Sequence, residues 1–241
     1  MSGTLYLIPG PMGGDTLSDI LPATVIERLR ALDYFIAEHP KNARAFIKLA
    51  NPPRAIALLK IESISSDTAD DELERLLAPL QAGQDAGLVS DAGAPAVADP
   101  GARLVARAHA LGIRVAPLVG PSSILLALMA SGLDGQQFAF HGYLPVDEPA
   151  LIERLRELEQ RSRATHETQL FIETPYRNDR LLRVLLATCA PATRVCVATH
   201  LTLSDETIAT KTVREWRKAP PNIGKRPTVF LLLAGESIKR S

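Results

Sequence analysis

The sequence predicts an α/β fold, because short apolar runs without polar alternation are separated by amphipathic stretches at helical spacing. Runs of this kind are typical of strands that are covered on both faces. They are Leu5–Ile8, Ala55–Leu59, Leu170–Ile172, Val195–Ala198 and Val229–Ala234. The helical stripes are Leu73, Leu76, Leu77 and Leu80, then Leu104, Val105, Ala108 and Leu111, then Leu151, Ile152, Leu155 and Leu158. Strands that alternate with helices predict mostly parallel sheets.

Local signals mark the ends of some helices. Thr68, followed three residues later by Asp71, has the pattern of a capping box at a helix start. Gly112 has the pattern of a helix stop. Asp99 precedes a Pro-Gly pair that opens a helix, so we expect it to cap that helix and not to take part in catalysis.

A proline- and glycine-rich turn near the middle of the chain is the best candidate for a domain boundary. It follows a predicted strand over Ile113–Ala116 and precedes an apolar helix over Ser122–Ser131, which Gly132 would close. No long flexible linker accompanies it. The turn therefore predicts two α/β halves that are tightly joined, residues 1–118 and 119–241.

Composition excludes several classes of protein. With 46% hydrophobic and 22% charged residues among 241, the chain is neither disordered nor collagen-like. No apolar stretch approaches the roughly 20 residues that span a bilayer, and the start lacks the pattern of a secretory leader. Two cysteines, Cys189 and Cys196, form no framework, so we expect a reducing cytoplasm and no membrane association.

Charge is distributed unevenly between the two ends of the chain. Residues 1–150 hold 11 Lys and Arg against 17 Asp and Glu, whereas residues 151–241 hold 16 against 10. A basic C-terminal part, from Arg154 to Arg240, is compatible with a nucleic-acid partner. Two solvated faces of opposite charge explain the same counts, so both interpretations stay open.

Four loops rich in Gly, Pro, Ser and Asp follow predicted strands, where ligands bind in α/β sheets. They are Pro9–Asp15, Ser90–Pro95, Val119–Ser123 and Glu173–Arg177. Glycines allow a backbone to approach a ligand closely. Ser122 and Ser123 fit helix capping as well as binding, and Asp91 fits a turn-shaping role as well as binding of a hydroxyl or amine.

Common nucleotide and metal motifs are absent from the sequence. It has no GxxxxGK[ST] phosphate loop, no GxGxxG fingerprint and no GxSxG nucleophile elbow. The histidines show neither HExxH nor another paired spacing, so no metal site is expected.

The loops, in this order, resemble the tetrapyrrole (corrin/porphyrin) methylase superfamily, and within it the rRNA ribose 2′-O-methyltransferases of the small subunit. The resemblance covers nearly the whole chain. The motifs that carry it are Gly3–Pro9, Val89–Pro95, Asp99–Gly101, Gly120–Ser123, Ala130–Leu133, Phe140–Pro145 and Phe171–Arg177. It implies two αβα domains, S-adenosylmethionine bound in the cleft between them, RNA as the partner and usually a homodimer.

Carried over by position, the resemblance also implies site residues. Asp91, Ala92 and Gly93 would line the methionine or ribose end of the donor, and Ser122 and Ser123 would hold its polar groups. Pro9 would border the cleft and Thr174 would pack beside the donor. The positions that resemble the adenine-contacting elements are Thr199, His200, Leu201, Pro227 and Thr228.

The acceptor side departs from the family pattern more than the donor side. The acidic Glu-Asp-Thr-Arg segment of the rRNA enzymes reads Glu-His-Pro-Lys-Asn-Ala-Arg here, with only Glu38 kept. The Ser-Pro-His-Arg loop reads Thr-Pro-Tyr-Arg at 174–177, and a Thr is replaced by Ala94. This pattern indicates a divergent paralogue.

Transfer of a methyl group to a hydroxyl requires that the hydroxyl proton be taken or oriented. Glu38 and His39 are the candidates for that role, with Tyr176 and Arg177 orienting the substrate or contacting phosphate. Structural alternatives stay open: His39 as a turn residue before a proline, Glu38 as a helix cap, and Arg177 as the partner of an acid. Two alternative functions also stay open, a methylase of a tetrapyrrole such as a precorrin and a donor-binding protein without catalysis.

Overall fold

A computed structural model describes residues 2–14 and 16–235. The chain divides into two compact units, Met1–Ser122 and Ser123–Ser241, four residues after the predicted boundary. Asp15 of the first predicted loop and Arg240 at the end of the basic part lie outside the described residues.

The first unit contains a five-stranded sheet that is parallel throughout, as predicted. Its strands are β1 (Thr4–Ile8), β2 (Tyr34–Ala37), β3 (Lys60–Ser63), β4 (Ala86–Val89) and β5 (Arg114–Pro117). Their order is β3-β2-β4-β1-β5, so β1 is paired with both β4 and β5. Because the strands are parallel, the loops that follow them all start at one edge of the sheet.

Helices cover both faces of this sheet and form two separate cores. They are α1 (Ala23–Ala31), α2 (Pro40–Leu49), α3 (Asp70–Gln81) and α4 (Gly101–Ala110). Helices α1 and α2 pack with Ile8 and Phe35, whereas α3 and α4 pack with Leu5 and Ile36. Consecutive strand residues point to opposite faces, so Phe35 and Ile36 identify the two sides of an αβα unit.

The second unit contains a mixed sheet, and here the prediction of mostly parallel strands is wrong. Its strands are β6 (Phe138–Tyr143), β7 (Thr168–Ile172), β8 (Arg194–Thr199), β9 (Thr207–Thr212) and β10 (Thr228–Leu233), in the order β6-β7-β10-β8-β9. Only β6 and β7 pair in parallel, and the other three pairs are antiparallel. The short connection at 200–206 joins β8 to β9 directly, which a parallel pair does not permit.

The second unit is built around a core between this sheet and its helices α6 (Glu148–Thr165), α7 (Asn178–Thr188) and α8 (Val213–Lys218). The rings of Phe171 and Phe230 stack at 6.0 Å, and the Trp216 indole donates to the Val195 carbonyl at 2.9 Å. A further helix, α5 (Ser123–Ser131), packs against β8, β9 and β10. None of the helices among the described residues is long and apolar enough to cross a membrane.

Two local predictions are wrong and two are confirmed. Ala55–Leu59 is not a strand, because it contains a short 3₁₀ turn in which Leu58 is 71% exposed; the strand starts at Lys60. Thr68 accepts a hydrogen bond from the Ser65 amide and does not cap α3. Gly112 and Gly132 follow helix ends with φ values of +67° and +65°, as their predicted roles require.

Replacing Leu29 with Ala should lower the free energy of unfolding by about 2–5 kcal/mol, because this fully buried side chain of α1 fills the core on that face of the sheet. Leu58→Ala is the matched control, and its exposed side chain should change that free energy by no more than about 0.5 kcal/mol. Urea unfolding followed by circular dichroism measures both. Equal effects would contradict the packing described for this unit.

Candidate functional site

The carboxyl ends of β1 and β4 form a topological switch point in the first unit. The two strands are neighbours, but the chain leaves β1 towards α1 on one face and leaves β4 towards α4 on the other. Loops that diverge in this way leave a crevice at the end of an open α/β sheet, which is where such sheets bind ligands. Two of the predicted glycine-rich loops start here.

A backbone bridge joins these two loops. The Gly10 amide donates to the Gly93 carbonyl at 2.9 Å, and the Gly93 amide donates back to the Gly10 carbonyl at 3.0 Å. A Cβ atom at Gly10 would overlap the Ser90 carbonyl oxygen, and Gly93 has a φ of +70°. The approach therefore depends on residues without side chains.

The loop after β5 also reaches this edge. A Cβ atom at Gly120 would lie 2.6 Å from the Cβ and Cγ atoms of Pro9, so the glycine lets the buried proline pack against it. Pro9, Asp91, Ala92 and Gly93 thus lie at the same edge of the sheet. Half-buried Ser122 ends the first unit, while Ser123 starts α5 in the second.

Asp99 holds the loop between β4 and α4 in an uncommon conformation. Its Oδ1 accepts hydrogen bonds from the amides of Ala96, at 2.9 Å, and Gly101, at 2.7 Å. In this loop Ala96 and Ala98 have left-handed φ values of +64° and +56°, a conformation that costs energy for residues with a Cβ. Asp99 therefore has a structural role in this loop, but the prediction that it caps α4 is wrong in detail, because Pro100 is the N-cap residue.

Three side chains meet beside this loop at the ends of β2 and β4. His39 Nδ1 lies 2.6 Å from Asp91 Oδ2, and Asn42 Nδ2 donates to the same oxygen at 3.0 Å. The contact follows from the register, in which Ala37 pairs with Val89. Asn42 is a site residue that the sequence reasoning missed, and the pairing of His39 with Asp91 was missed as well.

Glu38 completes this cluster on the exposed side. One ligand atom each of Glu38, His39 and Asp91 lies within 4.8 Å of the others. All three residues are exposed. The His39–Asp91 hydrogen bond accounts for the proximity of two of them, and Glu38 directly precedes His39 in the chain. We therefore describe a hydrogen-bonded cluster and assign no metal to it.

The fourth predicted loop lies in the second unit, after β7. Buried Glu173 accepts hydrogen bonds from the Thr174 amide at 2.6 Å and from the Arg177 guanidinium at 2.7 Å. Arg177 is thus the partner of an acid, which was the structural alternative for it. Tyr176 is 79% exposed, and the Lys225 ammonium lies 5.0 Å from the centre of its ring.

The five positions predicted to contact adenine come together at the ends of β8 and β10. Thr199 and Thr228 are paired across the two strands with their hydroxyls 3.2 Å apart, and the His200 amide donates to the Pro227 carbonyl at 3.0 Å. Both threonine side chains and Leu201 are buried. The hydrogen bond from His200 lowers the pKa of Asp205.

Two further groups are chemically distinctive, but their surroundings explain them. Burial lowers the pKa of His141, whose Nε2 lies 2.6 Å from buried Gln169 and whose Nδ1 lies 3.1 Å from Arg154. Burial raises the pKa of the Cys189 thiol to about 12, so it is no nucleophile at neutral pH.

Comparison with known proteins identifies one family. A family model described as Tetrapyrrole (Corrin/Porphyrin) Methylases matches residues 4–216. The chain is 32% identical to Ribosomal RNA small subunit methyltransferase I of Escherichia coli O157:H7, over 95% of this chain and 77% of that protein. It is 35% identical to the protein of the same name from Mesorhizobium japonicum, over 87% and 67%.

Solved structures show the same fold at low identity. The methyltransferase CobJ superposes with a TM-score of 0.64 at 20% identity, covering 97% of this chain and 94% of that one. Cobalt precorrin-4 methyltransferase CbiF superposes with a TM-score of 0.60 at 15% identity, covering 95% and 94%. Both support the two-sheet α/β architecture.

Proposed function

The chain belongs to the tetrapyrrole (corrin/porphyrin) methylase family, and from that premise we propose that it transfers a methyl group from S-adenosylmethionine to RNA of the small ribosomal subunit. S-adenosylmethionine is the methyl donor of this family. The observation that carries the proposal is the similarity to Ribosomal RNA small subunit methyltransferase I at 32% identity over 95% of the chain. A ribosomal subunit is a cytoplasmic particle, so the same proposal implies a cytoplasmic enzyme.

The donor is proposed to bind at the β1/β4 edge of the first sheet. The Gly10–Gly93 bridge and the Gly120–Pro9 contact leave backbone and small side chains at this edge. Such surroundings suit a sulfonium, whose positive charge disperses as the methyl group leaves, better than a strongly charged site does. Pro9, Ala92, Gly93 and Ser122 are the donor-side residues proposed in this unit.

Donor contacts from the second unit stay predictions. The residues concerned are Ser123, Thr174, Thr199, His200, Leu201, Pro227 and Thr228. The side chains of Thr199, Leu201 and Thr228 are buried. Any contact of these residues with the donor would therefore come from their backbone, at and after the paired ends of β8 and β10.

The acceptor side is proposed to include Tyr176 and Lys225. An exposed aromatic ring beside an ammonium group is the kind of surface that stacks on an unpaired base and contacts its phosphate. Asp179 accepts hydrogen bonds from the amides of Ile223 and Gly224, at 3.0 and 3.1 Å, and so holds the loop that carries Lys225. Arg177 would act by holding the loop after β7, which carries Tyr176, through its contact with Glu173, and not by contacting phosphate.

Of the two alternatives, neither is supported by a specific observation. The tetrapyrrole enzymes among the solved structures are only 15–20% identical, which supports the fold and not the substrate. A donor-binding protein without catalysis is an outcome of the experiment below.

A homodimer is proposed on the basis of an exposed apolar stripe on α5. Leu125 is 51% exposed and Met129, one turn later, is 79% exposed. Sedimentation should report twice the chain mass of 26.0 kDa, and the double substitution Leu125→Lys with Met129→Lys should shift the protein towards that chain mass. A wild-type protein that sediments as a monomer would contradict the proposal.

Labelled methyl groups should pass from S-adenosylmethionine to RNA of small ribosomal subunits taken from a strain that lacks this gene. The affinity of the protein for those subunits should fall steeply as the salt concentration rises, because contacts with phosphates release counterions from the RNA. The measurement is label in fractionated RNA, protein and small molecules. Label only in small molecules would support a tetrapyrrole methylase, and donor binding without label anywhere would support a non-catalytic protein.

Gly10→Ala should raise the dissociation constant of S-adenosylmethionine at least about 10-fold, because the added methyl group separates the bridged loops. The matched control is Gly135→Ala, whose Cβ would meet nothing within 4 Å. Calorimetric titration measures both, with circular dichroism to check that each variant is folded. If folded Gly10→Ala bound the donor like the wild type, the donor site would lie elsewhere.

A further inference from the structure

We propose that Asp91 is a positioning residue that orients His39 as the proton acceptor of the methyl transfer, and that it is not a ligand of the methyl donor. The inference rests on the proposed function. It reassigns Asp91, which the family resemblance placed on the donor, and it selects His39 over Glu38 as the group that takes the proton.

The hydrogen bond between the two side chains determines the tautomer of His39. A carboxylate only accepts hydrogen bonds, so a neutral His39 in contact with Asp91 at 2.6 Å carries its proton on Nδ1. Its Nε2 then has a free lone pair on the opposite side of the ring. This arrangement is the one that a histidine base requires.

Asp91 is itself held in place for this task. Asn42 donates a hydrogen bond of 3.0 Å to the same Oδ2. It lies in the first turn of α2, the helix that begins directly after His39. The loop that carries Asp91 is tied to Gly10 through Gly93, and its far end is fixed by Asp99. Oδ2 is thus committed to two hydrogen bonds within the protein, and one of them is the contact that orients His39.

The cluster lies next to the proposed donor site, so a hydroxyl of the acceptor could reach both His39 and the methyl donor. Asp91 is two residues before Gly93, which forms the bridge at the proposed donor site. The His39 side chain is 61% exposed, so its Nε2 edge is accessible to a large acceptor such as RNA. The carboxylates of Glu38 and Asp91 both lie beside the ring.

The proposed step balances without a metal or a further reactant. The acceptor oxygen forms a bond to the methyl carbon while the carbon–sulfur bond breaks, and the electron pair of that bond stays on sulfur. The hydroxyl proton passes to Nε2 of His39, and the positive charge of the sulfonium is replaced by that of the imidazolium. Water then removes the proton and restores the base.

Asp91→Asn and His39→Gln should each lower kcat for RNA methylation about 100-fold, as expected for loss of an oriented base. Both should leave the dissociation constant of S-adenosylmethionine within about twofold, and the double variant should be no slower than either single one. The matched controls are the substitutions Asp67→Asn and His109→Gln at exposed positions, which should change neither kcat nor the dissociation constant of S-adenosylmethionine.

Nitrogen NMR of the histidine rings tests the orientation independently of activity. Neutral His39 should show the Nδ1–H tautomer in the wild type and lose that preference in Asp91→Asn. The Nε2–H tautomer in the wild type would overturn the inference even if RNA is methylated. The Nδ1–H tautomer in a protein that methylates no RNA would leave the orientation intact and contradict the proposed function.

Two further results, one from donor binding and one from metal removal, would also overturn the inference. If Asp91→Asn weakened donor binding as strongly as it lowered kcat, Asp91 would be a donor ligand. If a chelator abolished methylation and Mg²⁺ restored it, the three side chains would be holding a cation and not a proton-transfer pair.

Discussion

The close approach of Gly10 to Gly93 is the constraint on which the carboxyl edge of the first sheet depends. Two mutual backbone hydrogen bonds join loops that leave neighbouring strands towards opposite faces. A side chain at Gly10 would collide with the Ser90 carbonyl, so the bridge exists only because glycine occupies that position. The bridge in turn sets the position of Asp91, and Asp91 sets that of His39.

This arrangement divides the chemistry of the site between backbone and side chains. Glycine, proline and alanine form the proposed donor side, where a dispersing positive charge needs position more than charge. Ionisable groups form the proposed acceptor side, where a proton has to move. The glycine-rich loops, which keep the family pattern, are constrained by backbone geometry. The segments Glu38–Arg44 and Thr174–Arg177, which differ from it, lack that constraint.

Several features of the fold and site were predictable because they depend on local signals. Apolar runs located β1, β7, β8 and β10, and Gly112 and Gly132 marked helix ends. Edge strand β9 has no apolar run, so its antiparallel pairing with β8 was missed. The antiparallel pairing of β10 with β7 and β8 was missed as well, because an apolar run does not encode strand direction. The contact of His39 with Asp91 joins residues 52 positions apart, so it follows from strand register and not from spacing.

Hydrogen–deuterium exchange of the protein with and without S-adenosylhomocysteine tests the central claim most directly, since it locates the donor site without an acceptor. The account predicts that protection appears in the peptides covering residues 8–14 and 89–99, where the bridged loops lie. Unchanged exchange in those peptides at saturating ligand, with protection confined to other segments, would contradict it.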